Sequence, residues 1–224
     1  MKIQALKLKH ALDIVGPAIS KRYTLPILNN VLFAPGKLVA SNLEVGVVVD
    51  VPEIEGVDFV VPYKELKEIV KNIPGNHMIT IVQDDCKVKL TDGGTVIELS
   101  AEEEFPPIPT ISTEPTSLDG SRLVSALMGA ATYAATEDSR PVLTCVMVEL
   151  GDTITVTATD GFRLSTQELP LNWPSPLKLK HLILIPRKAV LMLGKVWAVA
   201  TKKQATEMQV RLGESQISFQ FGDV

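Results

Sequence analysis

ALKLKHALDIVGPAI, residues 5–19, sets apolar side chains at helical spacing (Leu8, Ala11, Leu12, Val15). It runs through Lys21-Arg22 into a β-rich block, LPILNNVLFAPGKLVASNLEVGVVVDV (25–51). The same order returns later in the chain. LDGSRLVSALMGAATYAA, residues 118–135, again reads as a helix, with Leu123, Ala126, Leu127 and Ala130 on one face. It runs through Ser139-Arg140 into PVLTCVMVELGDTITVTATDGFRLSTQEL (141–169). In each copy a strand, a Gly-containing turn and a second alternating strand follow the basic residue, which is a hairpin signature.

The parallel extends outward from there. DFVVPYKELKEIVKNIP (58–74) predicts a strand, Pro62 in the first turn of a helix, and an amphipathic helix closed by Pro74. LILIPRKAVLMLGKVW (182–197) predicts a strand, Pro186 and a helix. Alternating strands follow both, MITIVQDDCKVKLTDGGTVIEL (78–99) and MQVRLGESQISFQF (208–221). A shared order of helix, strands, strand–Pro–helix and strands, offset by roughly 120 residues, is the mark of an internal repeat. The fold class expected is α+β, in two tandem domains of antiparallel sheets packed on two helices. The boundaries are 1–112 and 113–224, with the second copy short of at least its last strand.

Composition bounds the function. The chain has 224 residues, is 46% hydrophobic and 21% charged, and carries a formal charge of −4. That length suits two domains of about 110 residues each. No segment approaches the ~18 uninterrupted apolar residues of a membrane helix, and the N-terminus lacks the apolar core of a secretory signal. No membrane association is expected, and the location expected is cytoplasmic. Cys86 and Cys145 have no paired spacing, so no disulfide framework, metal or cofactor site is expected. His10, His77 and His181 are scattered and read as surface residues, Asp84-Asp85 and Glu102-Glu103-Glu104 as solvated turns and linker, and Cys145 as a core thiol. No nucleophile elbow, phosphate loop or dinucleotide fingerprint is present, so catalysis is not expected.

Positive charge is placed selectively. Lys64, Lys67 and Lys71 fall at i, i+3 and i+7 on the helix after Pro62, on one face, while Leu66, Ile69, Val70 and Ile73 form the buried side. Basic residues recur on the other helices: Lys7, Lys9 and His10, then Arg122, then Arg187, Lys188 and Lys195. A helical face turned toward a polyanion follows, because local field and not net charge steers association. Thr159-Asp160-Gly161-Phe162-Arg163-Leu164 is a second focus, a strand-to-turn segment that sets Leu143, Phe162 and Leu164 beside a charge, as a shallow peptide groove would.

The blocks ISKRYTLPILNNVLF, SNLEVGV, VPYKELKEIVKNIP, EFPPIP, ATEDSRPVLTCVMVE, TATDGFRLS and LIPRKAV occur in order across essentially the whole chain. Together they resemble the bacterial sliding clamps, the beta subunits of DNA polymerase III. The resemblance implies a clamp fold whose helices face duplex DNA without reading its sequence. It implies DNA-binding roles for Arg22, Lys64, Lys71, Thr136, Glu137, Arg187 and Lys188. It also implies a partner-peptide groove formed by Leu143, Thr159, Gly161, Phe162, Arg163 and Leu164. The implied partners are the polymerase III alpha subunit, clamp-loader subunits and other clamp-binding polymerases. Full-length clamps form a head-to-tail homodimer using a third domain, so a chain ending at Val224 is not expected to close a two-subunit ring by that interface. A clamp-like module that binds such peptides without enclosing DNA is the alternative. Departures from the family pattern are SNLE for the more usual TDLE, Phe162 where histidine or tyrosine is frequent, and an unusually apolar fourth helix.

Overall fold

Strands that alternate buried and open positions need a partner layer for one face, and here helices supply it. The coordinates are a computed structural model. They describe residues 1–19, 25–56, 58–84, 87–92, 95–100, 105–137, 139–170, 181–201 and 207–224. Two units are distinguished, Met1–Pro109 with Asp223–Val224, and Thr110–Gly222.

The first unit runs β1 (Lys2–Gln4), α1 (Ala5–Val15), β2 (Asn30–Ala34), β3 (Lys37–Ser41), β4 (Gly46–Asp50) and β5 (Phe59–Pro62). It continues with α2 (Tyr63–Asn72), β6 (Met78–Asp84), β7 (Lys87–Asp92) and β8 (Thr95–Ser100). Its antiparallel sheets have the orders β4-β3-β2-β5 and β1-β6-β7-β8.

The second unit repeats that order. β9 (Thr116–Asp119), α3 (Gly120–Ala131), β10 (Cys145–Leu150), β11 (Ile154–Thr159) and β12 (Leu164–Leu169) come first. β13 (His181–Pro186), α4 (Arg187–Ala200), β14 (Glu207–Leu212) and β15 (Ile217–Gln220) follow. Its sheets are β12-β11-β10-β13 and β15-β14-β9. Among the described residues the second sheet of this unit therefore has three strands where the first unit has four.

The cores follow the two periodicities. Leu8, Leu12 and Val15 of α1, and Leu66 and Val70 of α2, are buried, while Phe33 stacks on Phe59 with centroids 4.8 Å apart. In the second unit Leu123, Leu127 and Ala130 of α3 are buried, and β10 and β11 alternate buried and half-buried along their length. Close helix approach depends on glycine: a Cβ on Gly120 would lie 2.5 Å from Trp197 Cη2, and one on Gly194 would lie 2.3 Å from Met128 Sδ.

Several boundaries differ from those read in the sequence. α1 stops at Val15 and passes into a 3-10 turn, Gly16–Ala18. α3 begins only at Gly120, because Leu118 and Asp119 are ladder residues of β9 and Asp119 Oδ1 caps the helix by accepting from the Arg122 N–H at 3.1 Å. Pro62 and Pro186 close their strands one residue before the helices, where a missing N–H is equally harmless. Cys145 is half-buried at the start of β10, its Sγ 3.6 Å from Pro141 O, and is not a core thiol.

Candidate functional site

Helix α2 carries the first group of candidate residues. Lys64 and Lys71 are both exposed, two turns apart. Lys67, between them, is drawn aside: its Nζ donates to the Tyr63 hydroxyl at 2.9 Å and pairs with Asp13 of α1 at 3.0 Å. Partial burial pulls its pKa down, but the hydrogen bonds to Tyr63 and Asp13 outweigh that and leave it raised, so Lys67 stays charged with its charge matched. The Tyr63 hydroxyl donates in turn to Leu12 O at 3.2 Å, so this network fastens α1 to α2. Among the described residues, the stripe of three lysines is therefore two free cations and a brace. On α1, Lys7 pairs with Glu53, and Lys9 Nζ donates to Ile73 O at 2.6 Å, closing the C-terminal end of α2.

In the second unit Thr136 and Glu137 are exposed beyond the end of α3. Lys188 is exposed on the first turn of α4. Arg187 beside it is half-buried, and its Nε donates to Ala131 O at 2.9 Å, closing the C-terminal end of α3. Arg22 lies outside the described residues, as do Lys21, Cys86, Asp85, Glu102-Glu103-Glu104 and Trp173.

The groove candidates gather at the turn between β11 and β12. Gly161 has φ +91°, open to glycine and strained for other residues, and a Cβ built there would lie 3.9 Å from Leu143 Cδ1. Asp160 Oδ1 accepts from the N–H groups of Phe162 (2.9 Å) and Arg163 (2.8 Å). Thr159 Oγ1 donates to Arg163 O (2.7 Å) and accepts from Gly161 N–H (3.0 Å). Held this way, Phe162 is 97% exposed and Leu164 66% exposed, with Val142 also exposed on the 3-10 turn Pro141–Thr144. Among the described residues, these apolar side chains stand exposed on a turn held by its own hydrogen bonds.

The turn should resist acid. The backbone and guanidinium N–H groups of Arg163, and then the Phe162 N–H, hold the Asp160 carboxyl well below the ordinary carboxylate value, at about 2. A pKa lowered by folding gives a contribution complete above the unfolded value and lost as pH falls toward the folded one. The amide resonances of Phe162 and Arg163 are therefore expected to hold still from neutral pH to roughly pH 4 and to titrate near pH 2. A midpoint at an ordinary aspartate value would show that these hydrogen bonds are not formed.

Sequence reasoning named Asp160 and Arg187 without these roles and missed Tyr133. Asp160 had a usable signal, an Asx residue two and three places before the N–H groups it accepts from. Tyr133, whose ring lies 5.5 Å from the Arg163 guanidinium carbon, had none, and neither did the capping role of Arg187.

Comparison with known proteins fits this geometry. The family model described as DNA polymerase III beta subunit, central domain, matches residues 117–224. The beta sliding clamp of Pseudomonas aeruginosa is 30% identical over 235 residues, covering 99% of this chain. A crystal structure of the P. aeruginosa DNA polymerase III beta subunit superposes over 100% of the chain with TM-score 0.87 and 27% identity. Residues 117–224 match the clamp family's central domain, and the whole chain is similar to the beta sliding clamps. The fold is the clamp fold, shared also with the Bacillus subtilis clamp (TM-score 0.85, 22% identity, 98% of this chain and 61% of that one). The chain spans 62% of the length of the P. aeruginosa clamp in both comparisons. Among the described residues no cluster of acidic, histidine or cysteine side chains could hold a metal ion, and no helix is long and apolar enough to cross a membrane.

Proposed function

We propose that residues 1–112 and 113–224 are the first two domains of a sliding clamp, a non-catalytic processivity factor that encircles duplex DNA without sequence preference. Clamps so built tether the replicative polymerase, the clamp loader and other polymerases. The observation that carries this reading is the likeness to a clamp over the whole chain at TM-score 0.87. Lys64, Lys71 and Lys188, all exposed on helices, support a DNA-facing role, to which Arg22, Arg187, Thr136 and Glu137 are added by position in the family. Contact with phosphate positions a protein and does not specify sequence.

The topological test uses the protein that carries this chain, loaded on nicked circular DNA. It should survive gel filtration with the circle and be lost once the circle is linearised; equal retention on both forms overturns encirclement. Charge supplies a finer test. Lys71→Ala should lower the slope of log affinity against log salt by about one unit, whereas Lys67→Ala, whose cation is already matched by Asp13, should change it less. Equal slopes for Lys71→Ala and wild type would remove Lys71 from the DNA face.

A second reading is favoured by the exposure of Phe162 and Leu164: a module that takes polymerase or loader peptides without enclosing DNA. Submicromolar binding of a polymerase C-terminal peptide by this chain alone, abolished by Leu143→Ala, would select it.

A further inference from the structure

We propose that Tyr133 and Asp160, neither of them assigned to the groove, are its positioning residues. Between them they hold Arg163, and so fix the turn that displays Phe162 and Leu164 before any peptide arrives. This rests on the peptide-groove reading above and adds how the site is kept ready.

Two sides of the Arg163 guanidinium are occupied. Nε and Nη2 both donate to Asp160 Oδ2, at 3.0 and 2.8 Å. The guanidinium carbon lies 5.5 Å from the centre of the Tyr133 ring. The other Asp160 oxygen accepts the two backbone N–H groups of the turn, so a single carboxylate ties the backbone to the arginine side chain. Tyr133 comes from a separate element, just beyond α3, so the turn is braced against a helix as well as against itself. The same segment is fastened to the groove wall, because Ala135 N–H donates to Leu143 O at 2.8 Å. With its charge matched by Asp160, Arg163 acts as a flat shelf laid on an aromatic ring. Side chains immobilised only on binding weaken association, and a braced turn removes that loss.

The variants separate the two braces. Asp160→Asn keeps an oxygen for the backbone N–H groups and loses the ion pair, Tyr133→Phe keeps the ring, and Tyr133→Leu removes it. In the free chain the ring current should shift the Arg163 side-chain protons upfield in wild type and Tyr133→Phe but not in Tyr133→Leu. The binding probe is a fluorescent peptide from the C-terminus of a bacterial polymerase III alpha subunit. Tyr133→Leu and Asp160→Asn should each weaken its binding about five-fold, the size expected for an exposed cation–π contact or ion pair. Tyr133→Phe should bind as wild type, and neither damaging change should add anything on an Arg163→Ala background. Arg163 protons that do not respond to Tyr133→Leu, or equal losses with and without Arg163, overturn the proposal. If the peptide binds no form of the chain, the groove reading falls, and the free-chain spectra alone decide whether Tyr133 and Asp160 hold Arg163.

Discussion

Phe33→Ala is expected to destabilise the first unit by about 3–5 kcal/mol, the range for deleting a buried phenylalanine side chain. Phe33 is 1% exposed and stacks on Phe59 with an interplanar angle of 12°, the two rings opposite each other in the β2–β5 register. Truncation removes the stack and leaves a void between strands that cannot close without shifting a ladder. Hydrogen exchange across denaturant should show the loss in the amides of β2, β3 and β5 and leave β10 and β11 at wild-type protection. A loss below about 1 kcal/mol would mean that the pair is not the core contact it is taken for.

Gly120→Val should have a comparable effect on the second unit, about 3 kcal/mol or more, by overpacking. A Cβ at this position meets Trp197 Cη2 at 2.5 Å, Trp197 Cζ3 at 2.8 Å and Met208 Cβ at 2.8 Å. Trp197 cannot readily retreat, because its ring is set edge-on against Phe221 with centroids 4.9 Å apart. The first turn of α3 would have to move off β14 and α4 instead. Gly194→Ala is the informative contrast: its obstruction is the flexible end of Met128, which can swing away, so roughly 1 kcal/mol is expected. Thermal melts followed by tryptophan fluorescence would rank the two, and an equal or reversed order would contradict this account of the α3–α4 packing.

Much of this architecture was legible because burial writes itself into spacing. Leu8, Leu12 and Val15, and again Leu123, Leu127 and Ala130, recur at the helical period, and β10 and β11 alternate as half-buried strands must. The repeat then gave fold class and element order together. Charge was less legible for a physical reason: spacing places a lysine on a helix face but is silent about what approaches that face. Lys67 reaches Asp13 on another helix, Lys9 and Arg187 reach helix-terminal carbonyls, and these contacts exist only after packing. The sequence count of basic residues on the helices thus overstated the free positive charge. Gly120 and Gly194 were opaque likewise, since a glycine in a helical pattern signals weak propensity, and only the neighbouring helix shows why no larger residue fits.

The unequal second sheets of the two units bear on what each sheet edge can accept. In the first unit β8 packs beside β5, and Val60 is 1% exposed, with Val88 and Leu90 of β7 buried. At the matching places in the second unit Leu184 is 43% exposed, and Ile217 and Phe219 of β15 are only half-buried. β15 reads Ile-Ser-Phe-Gln, with neither a charge nor a proline to discourage a neighbour, and within the described residues its outer N–H and C=O groups meet no strand. Such an edge is adhesive. A strand laid against β15 would pair that edge and cover Ile217 and Phe219 beside it.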